Sequence, residues 1–460
     1  MKHLQNNYDH LRHEFPYFVN EGYHIEHAAN TIQVTYSFNL SGKIRFEPSF
    51  SLVLNSLCSK SIPQEFLDNL VFHIGMVEMI SYWKASCSPE IIIKSFYLEP
   101  NALAWWKKLY YHGLGEFFHI NGIKPQFDDF LTFVCEPLSS PEKYSIDLAD
   151  TSLLPIGGGK DSVVTLEILQ SANKAVIPFF LNPTKASLEV ARVAGFEEDQ
   201  TIIIKRNIDP ELLRLNDQGF MNGHTPFSAI LAFYSLIPAA LTGSKNIVLS
   251  NESSANEPTI PGTEINHQYS KSYDFEKDFR EYCANYISDD FTYFSFLRPL
   301  NELQIAALFS GFNKYHPAFR SCNAGSKTGI WCGKCPKCLF TFIILSPFLE
   351  PAELVEIFGS ILLDDPNLSF YFDQLCGLEE EKPFDCIGTI DEVNAALRAA
   401  FKKYRVDNLP VLLQHYKQSR NYTTDNDSTF RDLLTQFNSR HFIPDHFLQT
   451  LKIRLNERIS

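Results

Sequence analysis

An apolar run, LLPI at 153–156, passes through three consecutive glycines and Lys160-Asp161-Ser162 into a stretch whose Val163, Val164, Leu166, Ile168 and Leu169 fall at helical spacing. A strand that ends in a glycine turn and continues as an amphipathic helix leaves a sheet at its edge and returns along its face. Three further apolar runs follow: VIPFFL (176–181), TIIIK (201–205) and NIVLS (246–250), with helical stretches around 186–194 and 226–241. This alternation predicts an α/β fold with a doubly wound parallel sheet. Pro155 and Pro178 lie inside the predicted strands, and because proline removes a ladder donor they are expected at bulges or edge positions.

The flanking segments have different rhythms. Before residue 149, TIQVTYSFNL, Ser41-Gly42 and KIRFEPSFSL read as a β-hairpin, and FLDNLVFHIGMVEMISYW and NALAWWKKLYYHGLGEFFHI read as helices. His73 and His119 within them are read as core or surface histidines. Beyond residue 346, PAELVEIFGSIL and DEVNAALRAAFKKYRV read as helices. The 460 residues thus divide into an N-terminal α+β domain (1–148), an α/β domain (149–345) and a mainly helical C-terminal region (346–460).

Composition narrows the function classes. With 45% apolar residues the chain is a folded globular protein, and a net charge of −14 argues against coating nucleic acid or binding an anionic membrane. The N-terminus lacks the apolar stretch of a secretory signal, and the longest strongly apolar stretch, Leu339 to Leu345, is far shorter than the ~20 residues of a spanning helix. A cytoplasmic protein is expected, with its 10 cysteines reduced or holding a metal.

Three motifs carry chemistry. Gly157, Gly158 and Gly159 let the backbone approach a polyanion, and the helix after them aims free N–H groups at a phosphate. Lys160 and Ser162 add donors, and Asp161 is a candidate ligand of Mg²⁺. The string matches neither GxxxxGK[ST] nor GxGxxG. Cys322, Cys332, Cys335 and Cys338 offer four thiolates for a structural Zn²⁺. Past the NIVLS strand, Asn251, Glu252, Asn256 and Glu257 are expected to face the bound ligand or Mg²⁺, since ligands bind beyond strand carboxyl ends. His224 precedes a helix start where Thr225 is a predicted cap, and it is a further candidate for phosphate or substrate.

The loop IGGGKDS resembles the SGGxDS loop of PP-loop (HUP-like) N-type ATP pyrophosphatases, with Gly157 where that family usually has Ser. That resemblance implies cleavage of ATP to AMP and pyrophosphate, with adenine near Leu181 and Asn182. A CGxCxxC knuckle similar to 331–338 follows that domain in 7-cyano-7-deazaguanine synthases. The whole chain resembles the ATP-dependent UDP-N-acetylmuramoyl-L-alanyl-L-glutamate epimerases of the MurL type, on IGGGKDS (156–162), SNESSANE (250–257), HPAFRSCN (316–323), WCGKCPKC (331–338), KPFDCIGT (382–389) and FHIGMVEMISYWK (72–84).

This second resemblance implies activation of the terminal L-glutamate of UDP-N-acetylmuramoyl-L-Ala-L-Glu as an acyl-adenylate, inversion through an enolate, and release of the D-glutamyl product for peptidoglycan synthesis. Cys386 is the first acid–base candidate, because cofactor-free glutamate racemases use thiol pairs and Lys382 is near enough in sequence to tune it; Asp385, Glu252 and His224 are rivals. Arg320, Lys160 and Lys327 are candidate cations for the anionic substrate, and the N-terminal domain is a candidate for recognising its UDP-muramoyl part. The alternatives are a 7-cyano-7-deazaguanine synthase relative, a tRNA-thiolating PP-loop enzyme, which would need a basic RNA-binding surface, and a zinc-knuckle scaffold with an inert loop.

Overall fold

Eleven strands join one sheet in the computed structural model, which describes residues 2–459 except Pro261, Asn323, Ser326, Lys327 and 423–426. Lys327 therefore lies outside the described residues. The strands are β1 (Tyr17–Ala28), β2 (Thr31–Leu40), β3 (Ile44–Phe46), β4 (Ser49–Val53), β5 (Glu90–Ile93), β6 (Thr132–Cys135), β7 (Ala149–Pro155), β8 (Val176–Leu181), β9 (Ile202–Asn207), β10 (Ser244–Leu249) and β11 (Thr292–Ser295). Their order is β11-β10-β7-β8-β9-β4-β2-β1-β5-β6, with β3 paired to β2. β7 through β11 are parallel neighbours, as the apolar runs predict for four of them.

The predicted hairpin is present, its second arm broken between β3 and β4 at Glu47-Pro48, but it is not confined to its own sheet. β4 pairs antiparallel with β9, Ser49 opposite Asn207 and Leu52 opposite Ile204, so the sheet runs unbroken across residue 148. Both prolines lie on interior strands, at neither an edge nor a bulge. Pro155 follows Leu153, the last β7 residue paired to β10, and Pro178 precedes Phe179, the first β8 residue paired to β9. Proline is tolerated at these ends because the ladder asks for no donor there.

Side chains alternate between two apolar layers, one on each face of the parallel block. Leu153, Phe179, Ile204 and Ile247 pack with helices 64–83 and 227–242, whereas Leu154, Phe180, Val248 and Phe294 pack with helices 160–171, 302–309 and 336–345. The first layer continues under β1, β2 and β5, so residues 1–148 share a core with the strands that follow. Helix 64–83 is buried along nearly its whole length. His73 is a core histidine, with Nδ1 2.8 Å from the Asn69 carbonyl and Nε2 3.0 Å from the Tyr282 hydroxyl. Burial pushes its pKa down to about 4. No helix among the described residues is long and apolar enough to cross a membrane.

One buried ion pair fastens that helix to the sheet. The Arg206 guanidinium, at the end of β9, donates through Nη2 to Glu78 Oε2 at 2.8 Å, and the Tyr234 hydroxyl donates to Glu78 Oε1 at 2.8 Å. Removing one partner of a buried pair strands the other charge in an apolar layer. Glu78→Ala should therefore destabilise the protein by about 3–5 kcal/mol, read as a lower urea midpoint, while exposed Glu189→Ala should leave it unchanged.

Candidate active site

The order of the parallel block reverses between β7 and β10. The helix after β7, Lys160–Ser171, packs on one face of the sheet, while Tyr273–Tyr286, which follows β10, packs on the other. Chains that diverge in this way leave a crevice beyond the strand ends. A cavity of about 280 Å³ occupies it, walled by Gly157, Gly159, Asp161 and Ser162 from the first loop and by Ser250, Asn251 and Glu252 from the second. Arg320, Ser321, Lys271, Lys337, Asp385 and Cys386 close it from later segments.

The glycine loop is built for close approach. Gly158 has φ +86°, and a Cβ there would stand 2.7 Å from the Ser187 nitrogen, so only glycine fits. Its carbonyl accepts from the Arg320 N–H at 2.8 Å, which brings Arg320 and Ser321 to the cavity. Gly159 caps helix Lys160–Ser171, and Ser162 Oγ donates to the Gly159 carbonyl at 2.9 Å. Lys160 does not face the cavity as expected. Its ammonium is buried between Asp161 and Glu302, where the two carboxylates compensate its desolvation.

The buried Arg298 organises the opposite wall. Its Nη1 donates to the Glu252 carbonyl at 2.7 Å, and its Nη2 donates to Glu276 Oε2 at 3.0 Å and to the Lys271 carbonyl. One guanidinium thus fixes the backbones that carry Glu252 and Lys271. Asn251 Nδ2 donates to Ser295 Oγ at 3.0 Å. Asn256 faces a different cavity, with Nδ2 donating to the Ser253 carbonyl. Glu257 binds the Lys382 ammonium, so Lys382 is not the partner of the Cys386 thiol.

That partner is Lys271, whose Nζ lies 3.0 Å from Cys386 Sγ. His267 stands beside the same thiol, and its Nδ1 meets Glu116 Oε2. Burial opposes the thiolate, but Lys271, His267 and Lys337 overcome it and bring Cys386 down to about 6. Burial likewise opposes charge on His267, yet the neighbouring Cys386 and Glu116 raise it to about 9. His224 stands behind this group, Nδ1 3.3 Å from Glu116 Oε2, and burial and His267 push it down to about 4. Thr225 is not a helix cap; its hydroxyl accepts from Lys84 Nζ at 2.6 Å. Burial raises Asp385 from its ordinary value.

The four knuckle cysteines converge. Their Sγ atoms all lie within 4.8 Å of one another, with Cys322–Cys335 at 3.8 Å, Cys332–Cys338 at 3.7 Å and Cys335–Cys338 at 3.5 Å. Tetrahedral thiolates about 2.3 Å from zinc stand about 3.8 Å apart, so the donor set fits that ion. Cys335 caps helix Pro336–Leu345, whose first turn carries Lys337 into the cavity wall. Leu181 and Asn182 are not among the cavity walls; Asn182 is bonded to the Arg206 backbone through Nδ2 at 2.8 Å and Oδ1 at 2.7 Å.

Sequence reasoning missed Glu116, His267, Lys271 and Lys337. The first three sit in no recognisable motif. Lys337 lies in plain view within WCGKCPKC, where the cysteines drew the attention.

A family model described as the MurL N-terminal domain matches residues 10–296, and one described as the MurL C-terminal domain matches residues 318–430. Three curated proteins named UDP-N-acetyl-alpha-D-muramoyl-L-alanyl-L-glutamate epimerase are similar to the chain. That of Xanthomonas oryzae pv. oryzae is 36% identical over 332 residues, 70% of this chain and 72% of its own length. That of Micromonospora sp. is 33% identical over 378 residues, covering 81% and 83%, and that of Salinispora tropica is 32% identical over 383 residues, covering 79% and 83%.

The cations around Cys386 generate a chemical expectation. Its alkylation by iodoacetamide, followed at the Cys386 peptide by mass spectrometry, should be fast above an apparent pKa of about 6 and fall below it. Lys271→Met should move that midpoint upward toward the ordinary thiol value of 9.0; an unmoved midpoint would contradict the pairing.

Proposed function

The chain belongs to the MurL family, and on that footing we propose that it inverts the terminal L-glutamate of UDP-N-acetylmuramoyl-L-Ala-L-Glu to D-glutamate, using ATP to activate the carboxylate. The observation that carries this reading is the shared cavity: a glycine loop at a helix N-terminus and the Cys386 thiol open onto one space. A phosphate-binding loop and a proton-transfer or nucleophilic group need such proximity only if activation and inversion act on one bound substrate.

A carboxylate resists loss of its α proton, because its charge opposes the carbanion that would form. Adenylation converts it to a neutral, electron-poor carbonyl, and the enolate oxygen can then be stabilised by donors already in place. The Gly157–Ser162 loop binds the phosphates, with the free N–H groups of helix Lys160–Ser171 as donors. Arg320, Lys271 and Lys337 supply the positive charge that Lys160, engaged with Glu302, does not. Asp161 and Glu252, carboxylates on facing walls, are the residues that would hold Mg²⁺, an ion that neutralises phosphate charge. Among the proton-transfer candidates, Cys386, Asp385 and Glu252 line the cavity, while His224 reaches it only through Glu116 and His267.

The four cysteines would hold a structural Zn²⁺ with no part in the chemistry: all four ligand positions are filled by sulfur. Its task is mechanical, pinning Ser321 and Lys337, the neighbours of Cys322 and Cys338, to the cavity.

Incubation with ATP, Mg²⁺ and UDP-N-acetylmuramoyl-L-Ala-L-Glu in D₂O should give AMP, pyrophosphate and D-glutamate carrying deuterium at the α carbon. Recovery of L-glutamate alone, without pyrophosphate, would defeat the reading. The purified protein should contain one zinc per chain by elemental analysis. Cys332→Ser should lose it and weaken ATP-driven turnover by displacing Lys337.

A further inference from the structure

Cys386, His267 and Glu116 stand in the order thiol, imidazole, carboxylate, with the imidazole bonded to the carboxylate. Only the first of the three is a cavity wall. Glu116 is buried and His267 has 14% of its side chain exposed, and the carboxylate holds the imidazole through Nδ1. Lys271 Nζ stands 3.0 Å from the same sulfur. A nucleophile with a cation bonded to it, an imidazole beside it and a third group orienting that imidazole is an arrangement by which proteins activate a side chain for covalent attack.

We propose that Cys386 is a nucleophile, which takes the activated glutamyl group from the adenylate as a thioester on this chain, where the α centre is inverted and from which water releases the product. This rests on the ATP-dependent reading above.

The flanking groups favour attack over proton abstraction. A thiolate held between an ammonium and an imidazolium is a weak base for an α proton, since its proton affinity has been lowered. It keeps much of its nucleophilicity, which falls only partly as pKa falls, and it leaves readily when the thioester is hydrolysed. A thioester carbonyl remains electron-poor, so the α C–H stays acidic after AMP has gone. Proton transfer then belongs to the cavity carboxyl that holds no Mg²⁺, Asp385.

The steps balance without an outside oxidant or reductant. The sulfur lone pair forms the C–S bond while the acyl C–O bond to the AMP phosphate breaks, and its electron pair leaves with AMP. Acylation removes the anion beside His267, so the imidazolium releases its proton to solvent. Water then attacks the thioester, giving a proton to His267, and the C–S pair returns to sulfur, restoring the thiolate–imidazolium pair. Glu116 is a positioning residue through these steps, while His267 takes the proton of the attacking water.

A single turnover with wild-type protein, ATP, Mg²⁺ and UDP-N-acetylmuramoyl-L-Ala-L-Glu, quenched in acid, should leave the acyl mass on the Cys386 peptide, removable by hydroxylamine. Cys386→Ala should still give a pyrophosphate burst, while AMP release and D-glutamate formation fall about 100-fold or more. If wild type carries no adduct and Cys386→Ala releases AMP at the wild-type rate while returning L-glutamate, the thiol moves only a proton and the proposal is overturned. Absence of pyrophosphate from wild type would instead overturn the ATP-dependent reading and this proposal with it.

Discussion

Strands β7 and β10 are neighbours whose chains depart to opposite faces of the sheet, and the gap between their ends governs everything built around them. Backbone N–H and carbonyl groups at those ends cannot all be satisfied by the ladder, so loops, side chains or ligands must meet them. The glycine loop fills one side and residues 250–252 fill the other. Beneath the second, Arg298 is a fully buried guanidinium answered by Glu276 and by two main-chain carbonyls. Such a group is costly to desolvate and is retained where it fixes geometry. Here it holds the Glu252 and Lys271 backbones against one another.

The remaining walls come from far along the chain, and each is tethered by its own device. Arg320 and Ser321 are held by the bond to Gly158, Lys337 by the cysteine knuckle, and the Cys386 segment by Lys271 and His267. Glu116, on the short helix Gly115–Ile120, contributes a carboxylate from the N-terminal segment. The site therefore draws on all three segments into which the sequence divides.

Much of this was legible beforehand, and the parts that were not share a physical cause. Four of the five strands in the β7–β11 block follow from apolar runs, and β11 escapes because four residues between loops carry no period. β1, with Asn20, Glu21, His24 and Glu26 among its residues, offers too many polar side chains to be read as a strand. The glycine loop and the four knuckle cysteines announce themselves through local spacing, and Cys386 through the family resemblance of KPFDCIGT. Lys271, His267 and Glu116 do not, because their meaning lies in contacts between segments distant in sequence. Lys160 misleads for the same reason: beside three glycines it reads as a phosphate ligand, and only the fold supplies Glu302 to claim it.

The junction of β4 with β9 also bears on how the protein is made. Ser49 and Asn207, hydrogen-bonded across that junction, are 158 residues apart. At a ribosomal pace of about 5–20 residues per second, β4 waits roughly 8–32 s for its partner. During that interval it is an open strand edge, the kind of surface on which nascent chains mispair. Its alternation of Ser49 and Ser51 with buried Phe50 and Leu52 keeps one face polar while the other is covered by the core already forming around helix 64–83. The seam that unites the sheet is thus a point of exposure to chaperones during synthesis, well removed from the chemistry it later supports.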